Sequence, residues 1–496
     1  VAEPLLLAID QGTGSTKCLL VGSDGRVVSR FAIPVTIDFP EPGWVEQSPD
    51  DIWTSVVEGV SACLRGHDSK QVVAVGLSNQ RESVLLWERA SGRPLGPILG
   101  WQDQRTSAEC ERLLSAGLGA TVRQLSGLPL DPMFSASKAG WLLDLYDPDR
   151  RRSASGELCL GTIDSWLMWR LVGRHCIELG NASRMQLLDV RTRSWSQELL
   201  EIFRVPVDVL PSIVPSSAAL GHVRDFPGLP PDVPLTAVLA DSHAALFAHG
   251  AFEPGLVKAT YGTGSSVMGL VDAHRDVGLG VGLTLAWDTG EPAYAAEANI
   301  RASGATIIWL AALLGTTPGH VFELAVSTGS DGVILVPAFG GLAAPWWDDS
   351  AQATLTGLTL GTGAGQVARA AVESIALQVN DVVAAMEQGV GRVQGLLADG
   401  GGSASDTLMQ LQADITQLPV YRARAQDLSA LGAAHLAGIG GGVWSIDDLR
   451  GLPRERDTFI PRLDGESAAA RVGAWHSAVE RARYSHPMNP GRRDPR

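Results

Sequence analysis

The sequence predicts an α/β chain made of two similar domains that face each other across a cleft. Three observations predict it. At 496 residues the chain is too long for a single core, so two domains of roughly 250 residues are expected. The same short glycine loop occurs twice, half a chain apart: Asp10-Gln11-Gly12-Thr13-Gly14-Ser15 and Tyr261-Gly262-Thr263-Gly264-Ser265-Ser266. Each copy follows an apolar, strand-like run, at 5–9 and 256–260.

The first half opens as a β meander, with strands expected at 5–9, 16–22 and 26–31 and a hairpin turn at Ser23-Asp24-Gly25. Pro49 and Asp50 then start a helix through Cys63, because Ile52, Val56 and Val60 recur at helical spacing. A buried strand follows at 72–77. Strand, strand, strand, helix, strand is the order of a ribonuclease-H-like unit. The run 226–231 is a Pro/Gly loop. A strand at 235–239 ends at Asp241, a helix is expected from Ala244 to His249, and Glu253-Pro254-Gly255 breaks the chain. The boundary therefore falls near residue 250, giving domains 1–250 and 251–480 and a basic tail 481–496. The second half carries helical patterns at 304–314 and 366–388. A strand at 395–398 leads into a third glycine loop, Asp399-Gly400-Gly401-Gly402-Ser403, and then a helix at 406–416.

Composition narrows the function. A net charge of −15 disfavours nucleic acid or an anionic membrane as the main partner. The five cysteines are scattered without a Cys-x-x-Cys pair, so neither a disulfide framework nor a zinc site is expected. The apolar run near the start is short and ends at Asp10, which reads as a strand and not a signal peptide. No stretch of 18 apolar residues occurs, so no membrane span is expected and the cytoplasm is the expected location.

A strand that ends in a Gly/Thr/Ser turn offers backbone N–H groups and hydroxyls to an anion. Two such turns closing on a polyphosphate follow the logic of an ATP-dependent phosphotransferase, which needs charge neutralisation, in-line placement and a base. Thr13, Gly14 and Ser15 are suited to grip terminal phosphates, and Lys17 adds a positive charge. Asp10, at a strand end, can hold Mg2+ through water, since that ion prefers hard oxygen ligands. Asp241 sits between a strand and a helix, where a carboxylate reaches the mouth of a cleft. Arg81 can donate to a hydroxyl oxygen and Glu82 can accept from a hydroxyl hydrogen, so the pair can read a vicinal diol. Trp101 can wall the carbons of a polyol.

These motifs resemble the FGGY family of carbohydrate kinases, most of all its glycerol kinase branch. The likeness runs from about residue 5 to 445. It includes AIDQGTGSTK (8–17), GLSNQRES (76–83), WQDQRT (101–106), GTIDSW (161–166), NASR (181–184), ADSHAAL (240–246), FEPG (252–255), YGTGSS (261–266), VPAFGGLAAPWWD (336–348) and ADGGGS (398–403). The resemblance implies two actin-like ribonuclease-H-type domains with a nucleotide-binding cleft between them. It implies that Asp241 is the general base, that Arg81 and Glu82 bind the acceptor, and that Gly262, Thr263 and Gly264 form the second phosphate loop. Gly401 then packs against adenine, and Gly304 is a further nucleotide-site glycine. Related kinases are often dimers or tetramers, so the resemblance allows a homo-oligomer, though the sequence itself does not give the oligomeric state.

The chain departs from the glycerol kinase pattern at several places. Met133 stands where that branch has Tyr, Ser242 where it has Gln, and Ser266 where it has Phe. Near the nucleotide base, Ser405 replaces Asn and Ile308 replaces Gln. The acceptor pocket should therefore be roomier than one for glycerol. The sequence reading is an ATP- and Mg2+-dependent kinase of a small polyol or sugar, with glycerol the nearest acceptor by overall resemblance and four- or five-carbon polyols or a ketopentose such as xylulose as the alternative. A non-kinase actin-like ATPase shares the loops but should lack the set Arg81, Glu82 and Asp241. A degenerate sensor is disfavoured by the intact Asp10 and Asp241.

Overall fold

A computed structural model describes residues 3–272, 277–278 and 280–484. The first sheet orders its strands Ser217–His222, Pro234–Ala240, Val72–Asn79, Leu5–Gln11, Ser15–Gly22, Val27–Pro34. Its three central strands, Pro234–Ala240, Val72–Asn79 and Leu5–Gln11, run parallel, and the flanking ones are antiparallel. The second sheet repeats this plan in Arg456–Phe459, Val420–Ala423, Gly395–Asp399, Leu256–Tyr261, Ser265–Val271, Pro292–Ile300, and adds Gly282–Asp288 at the edge. The same pairs are parallel and the same pairs antiparallel. The duplication read from two glycine loops is thus a duplication of whole sheets.

Central parallel strands need cover on both faces and read as unbroken apolar runs. Leu5–Gln11 is buried at every position. Helix Pro49–Cys63 covers one face of the first sheet. Ser48 caps it by accepting from the Asp51 N–H, Pro49 sits where no donor is needed, and Ile52, Val56 and Val60 are fully buried. The long helix Ala364–Val390 covers the second sheet, with Ala371, Val379, Val382 and Met386 in its core.

Between the sheets, helices Asp241–Ala248 and Leu428–Gly440 cross at close range. Gly432 allows this, because a Cβ there would lie 1.9 Å from the Ala244 carbonyl oxygen. Both halves of the chain thereby share one apolar cluster, which joins Leu6, Ala8 and Leu239 to Ala433, Leu436 and Ala437.

The structure adjusts some sequence expectations. The helix expected from Ala244 begins at Asp241. Arg481, placed in the basic tail, lies with Arg483 in the last turn of helix Gly465–Arg483, where cations favour the negative helix end. The rest of that tail, from 485 on, lies outside the described residues. A smaller sheet of Glu46–Gln47, Ile98–Leu99, Val84–Glu88 and Leu158–Thr162 sits within the first half and was not foreseen. All five cysteines are free and buried. Among the described residues no single helix is long and apolar enough to cross a membrane.

Candidate active site

Strand register brings the key carboxylates to one edge. Asp10 pairs with Ser78, and Ser78 pairs with Leu239 of the next parallel strand. Asp241 therefore emerges one residue beyond its strand at the same sheet edge as Asp10. It is the first residue of its helix, after Ala240 at the cap position, so its carboxylate is not a helix cap for a distant turn. It accepts from the Ser242 N–H at 2.6 Å and lies 3.5 Å from the Arg81 Nε. Its side chain remains about a third exposed (35%), open to the cleft. Protein packed around it raises its pKa above the ordinary aspartate value, and Arg81 partly opposes this.

Asp10 is buried and accepts from the Ser78 hydroxyl at 2.9 Å. Burial raises its pKa to about 6 against the pull of Lys17, and the Asp241 charge adds to the rise. Among the described residues, no three His, Cys, Asp or Glu side chains gather to cage a metal. One or two carboxylates beside a phosphate site are the donor set that suits Mg2+, which keeps much of its water and shares phosphate oxygens. Asp10 fits that role: a desolvated carboxylate with few cationic partners gains from a nearby divalent ion.

Arg81 and Glu82 occupy a tight turn between Val72–Asn79 and Val84–Glu88. The Ser83 N–H reaches back to the Arg81 carbonyl, and Glu82 takes φ 61°, a region that L-residues rarely adopt. Arg81 Nη1 donates to both oxygens of Glu297 at 2.6 and 2.7 Å. Arg184 donates to Glu82 at 2.6 Å and lies 3.1 Å from Glu297. Burial alone would raise the Glu297 carboxyl, but Arg184 and Arg81 prevail and hold it well below the carboxylate range. His243 is fully buried and stays neutral, since burial drives its pKa down to about 4. Its Nε2 is 3.6 Å from Glu297, too long for a hydrogen bond.

Trp101 links the two sides of the site. Its Nε1 donates to the Thr13 hydroxyl at 3.0 Å, so Trp101 touches the first glycine loop. The carbonyl of Thr13 accepts from Gln47. Met133 lies across from strand Pro292–Ile300, with the Asn299 amide 3.9 Å from its sulfur.

Each glycine loop is closed by a backbone hydrogen bond from its first glycine. The Gly12 N–H donates to Ser15 O, and the Gly262 N–H to Gly264 O. The Gly304 N–H also donates to Gly262 O, and a Cβ at Gly304 would come within 2.6 Å of that oxygen. Gly304 thus braces the second loop. By contrast, a Cβ at Gly14 or Gly401 would meet nothing within 4 Å, so these glycines border open space. A cleft of about 880 Å³ runs between the halves, lined by Asp10, Lys17, Asp241, Thr260, Gly401 and Arg422 among others. Ser405 caps helix Asp406–Thr416 by accepting from the Leu408 N–H. Ile308 is exposed. Lys17 pairs with Asp427 at 3.1 Å, and Arg30 also donates to that carboxylate.

Several cleft residues escaped the sequence reading. Lys258 is fully buried, donates to the Thr260 hydroxyl at 2.7 Å and has its pKa lowered by burial. His249 lies 2.9 Å from Asp399. Glu297 and Lys258 carried one visible signal, a lone charge inside an apolar strand, as in Ala295-Ala296-Glu297-Ala298. Lone charges are rarely buried without a partner.

Comparison with known proteins matches the chain to two family profiles. Residues 5–248 match the N-terminal domain of the FGGY family of carbohydrate kinases, and residues 257–441 match its C-terminal domain. A glycerol kinase of Aromatoleum aromaticum is 43% identical, covering 96% of this chain and 98% of that one. An apulose kinase of Pectobacterium atrosepticum is 39% identical, covering 97% of this chain and 98% of that one. The crystal structure of Plasmodium falciparum glycerol kinase with ADP superposes with a TM-score of 0.91 at 28% identity, covering 98% of this chain and 99% of that one.

Proposed function

Since the chain belongs to the FGGY family of carbohydrate kinases, ATP-dependent phosphotransferases that act on alcohol groups, we propose that it transfers the γ-phosphate of ATP to a hydroxyl of a small, glycerol-like polyol or sugar. One observation carries this reading. Asp241, a partly open carboxylate with a raised pKa, stands at the same sheet edge as Asp10 and 3.5 Å from Arg81.

In this reading Asp241 takes the proton from the acceptor hydroxyl. A raised pKa suits a general base, because it increases the carboxylate's proton affinity. Arg81 and Glu82 orient the acceptor, Trp101 walls it, and Met133 and Ser242 line its pocket. Buried ion pairs to Glu297 and Arg184 fix the Arg81–Glu82 turn, so little order has to be created on binding. The loops at 10–17 and 262–264 hold the phosphates with Lys17, and Gly304, Gly401 and Ser405 border the nucleoside. Asp10 would hold Mg2+, which supplies charge neutralisation on the phosphates. The division of labour follows domains 1–250, for acceptor and first loop, and 251–480, for second loop and adenosine. Closure of the halves would exclude water.

A second reading, a four- or five-carbon polyol or ketopentose as acceptor, is favoured by Met133, Ser242 and Ser266 and by the likeness to an apulose kinase. The test is ATP-coupled phosphorylation across glycerol, erythritol, xylitol, arabinitol, xylulose and ribulose, with Asp241→Asn as control. Turnover of an acceptor that collapses in the variant supports the reading. ADP release that no acceptor stimulates refutes it.

A further inference from the structure

Strand Pro292–Ile300 crosses from the second half to the acceptor residues of the first. Its side chains alternate, so Glu297 and Asn299 share a face. Both reach acceptor residues. Glu297 takes Arg81, and Asn299 reaches the Met133 sulfur. Arg301, just beyond the strand and next in the same alternation, lies 3.7 Å from Asp131. In the antiparallel partner strand, Ser266 lies directly opposite Asn299. Directly opposed residues point to the same side of a sheet. Ser266 therefore faces the acceptor residues beside Asn299.

Two polar groups here are poorly satisfied. The Ser266 hydroxyl is buried and makes no hydrogen bond among the described residues. The Asn299 amide meets a thioether sulfur at 3.9 Å, a weak acceptor that leaves most of its hydrogen-bonding capacity unused. Buried polar groups are normally paired, so the orphaned Ser266 hydroxyl costs stability unless a water or ligand completes it, while the half-buried Asn299 keeps donors free for a ligand. Asn299 follows Glu297 by two residues, about 7 Å along the strand. Asn299 therefore lies farther along the strand than the residue that anchors Arg81.

Resting on the kinase reading above, we propose that Asn299 and Ser266, with Met133 as their apolar floor, form a polar subsite for the distal end of the acceptor. The subsite donates from the Asn299 amide and the Ser266 hydroxyl to a hydroxyl or carbonyl oxygen on the fourth or fifth carbon. The acceptor class is a four- or five-carbon polyol or ketose, and glycerol leaves the subsite to water.

The test compares kcat/KM for glycerol with kcat/KM for erythritol, arabinitol, xylulose and ribulose, in wild type, Asn299→Leu, Ser266→Ala and Ser266→Phe. The expected wild type prefers a longer acceptor. The preference, as a ratio to glycerol, falls roughly tenfold in Asn299→Leu, a hydrogen bond's worth, through KM more than kcat. It falls less in Ser266→Ala and further in Ser266→Phe, which fills the space. Circular dichroism melts identify a variant that is merely unfolded, and Ser266→Ala, the mildest change, then decides. A wild type that prefers glycerol, or variants that lower all acceptors by one factor, overturns the subsite and leaves the kinase reading standing. A wild type that phosphorylates none of them overturns the kinase reading itself.

Discussion

Asp10→Asn should make the ligand-free protein more stable while removing its use of Mg2+. The buried Asp10 carboxyl is displaced from its usual 3.8 to about 6, chiefly by burial. At neutral pH the folded state must ionise a group that resists ionisation, which costs roughly 3 kcal/mol. The sign follows from proton binding. Between pH 3.8 and 6 the folded state holds this proton more tightly than the unfolded state does. The group therefore favours folding below pH 3.8, and that contribution is lost as pH rises through 6. Asparagine removes the charge and keeps an oxygen to accept from Ser78. Denaturant unfolding at pH 7 should show the variant more stable by up to about 3 kcal/mol, with the gap closing toward pH 4. Mg2+ with nucleotide should stabilise the wild type and do much less for the variant. A variant no more stable at pH 7, or a gap that is constant from pH 7 to pH 4, would refute the reasoning.

Other outcomes can be checked on the same protein. Asp241→Asn should lower kcat by roughly 10²- to 10⁴-fold with a smaller change in KM, read by coupled ADP release. The acid limb of the wild-type kcat/KM profile should lie above the ordinary aspartate value, since the Asp241 pKa is raised. Glu297→Gln leaves two buried guanidinium groups short of a carboxylate and should cost about 3–5 kcal/mol in denaturant unfolding. The same change should also raise the acceptor KM, because Arg81 loses its anchor. Gly432→Ala drives a methyl into the Ala244 carbonyl and should destabilise by about 1–3 kcal/mol in the same assay.

Local signals carried much of the fold. Apolar runs marked the central strands because parallel strands are buried on both faces, and Pro49 with helical spacing marked its helix to the residue. The glycine loops marked both strand-turn-strand entries and hence the duplication. The four-stranded sheet containing Glu46–Gln47 and Ile98–Leu99 was invisible, since two-residue strands leave no periodicity. The helix start at Asp241 was missed because Asp241 reads as the cap before a helix, whereas Ala240 takes the cap position and Asp241 lies in the first turn, where a carboxylate suits the positive helix end. In the candidate site, Asp10, Arg81, Glu82 and Asp241 were legible as charges at strand ends, which the structure brings to one region. Their partners were not: Glu297 and Arg184 lie 216 and 102 residues away from Arg81 and Glu82, respectively, and single-sequence reasoning has no means to pair them.

The two sheets repeat each other strand for strand, yet their matching edges differ in charge. Where a central strand of the first sheet carries Asp10 near its end, the second has Thr260, and where Asp241 follows the central strand Pro234–Ala240, Arg424 follows its counterpart Val420–Ala423. The carboxylate at the second edge, Asp399, is held ionised by Lys258 and His249 against its burial. A symmetric frame thus carries an antisymmetric electrostatic pattern. A group passing between two equivalent halves would have no preferred sense of travel. This inequality gives the cleft a polarity, with Asp10 and Asp241 on one side and, on the other, Thr260, Lys258 and Arg422 around the carboxylate of Asp399.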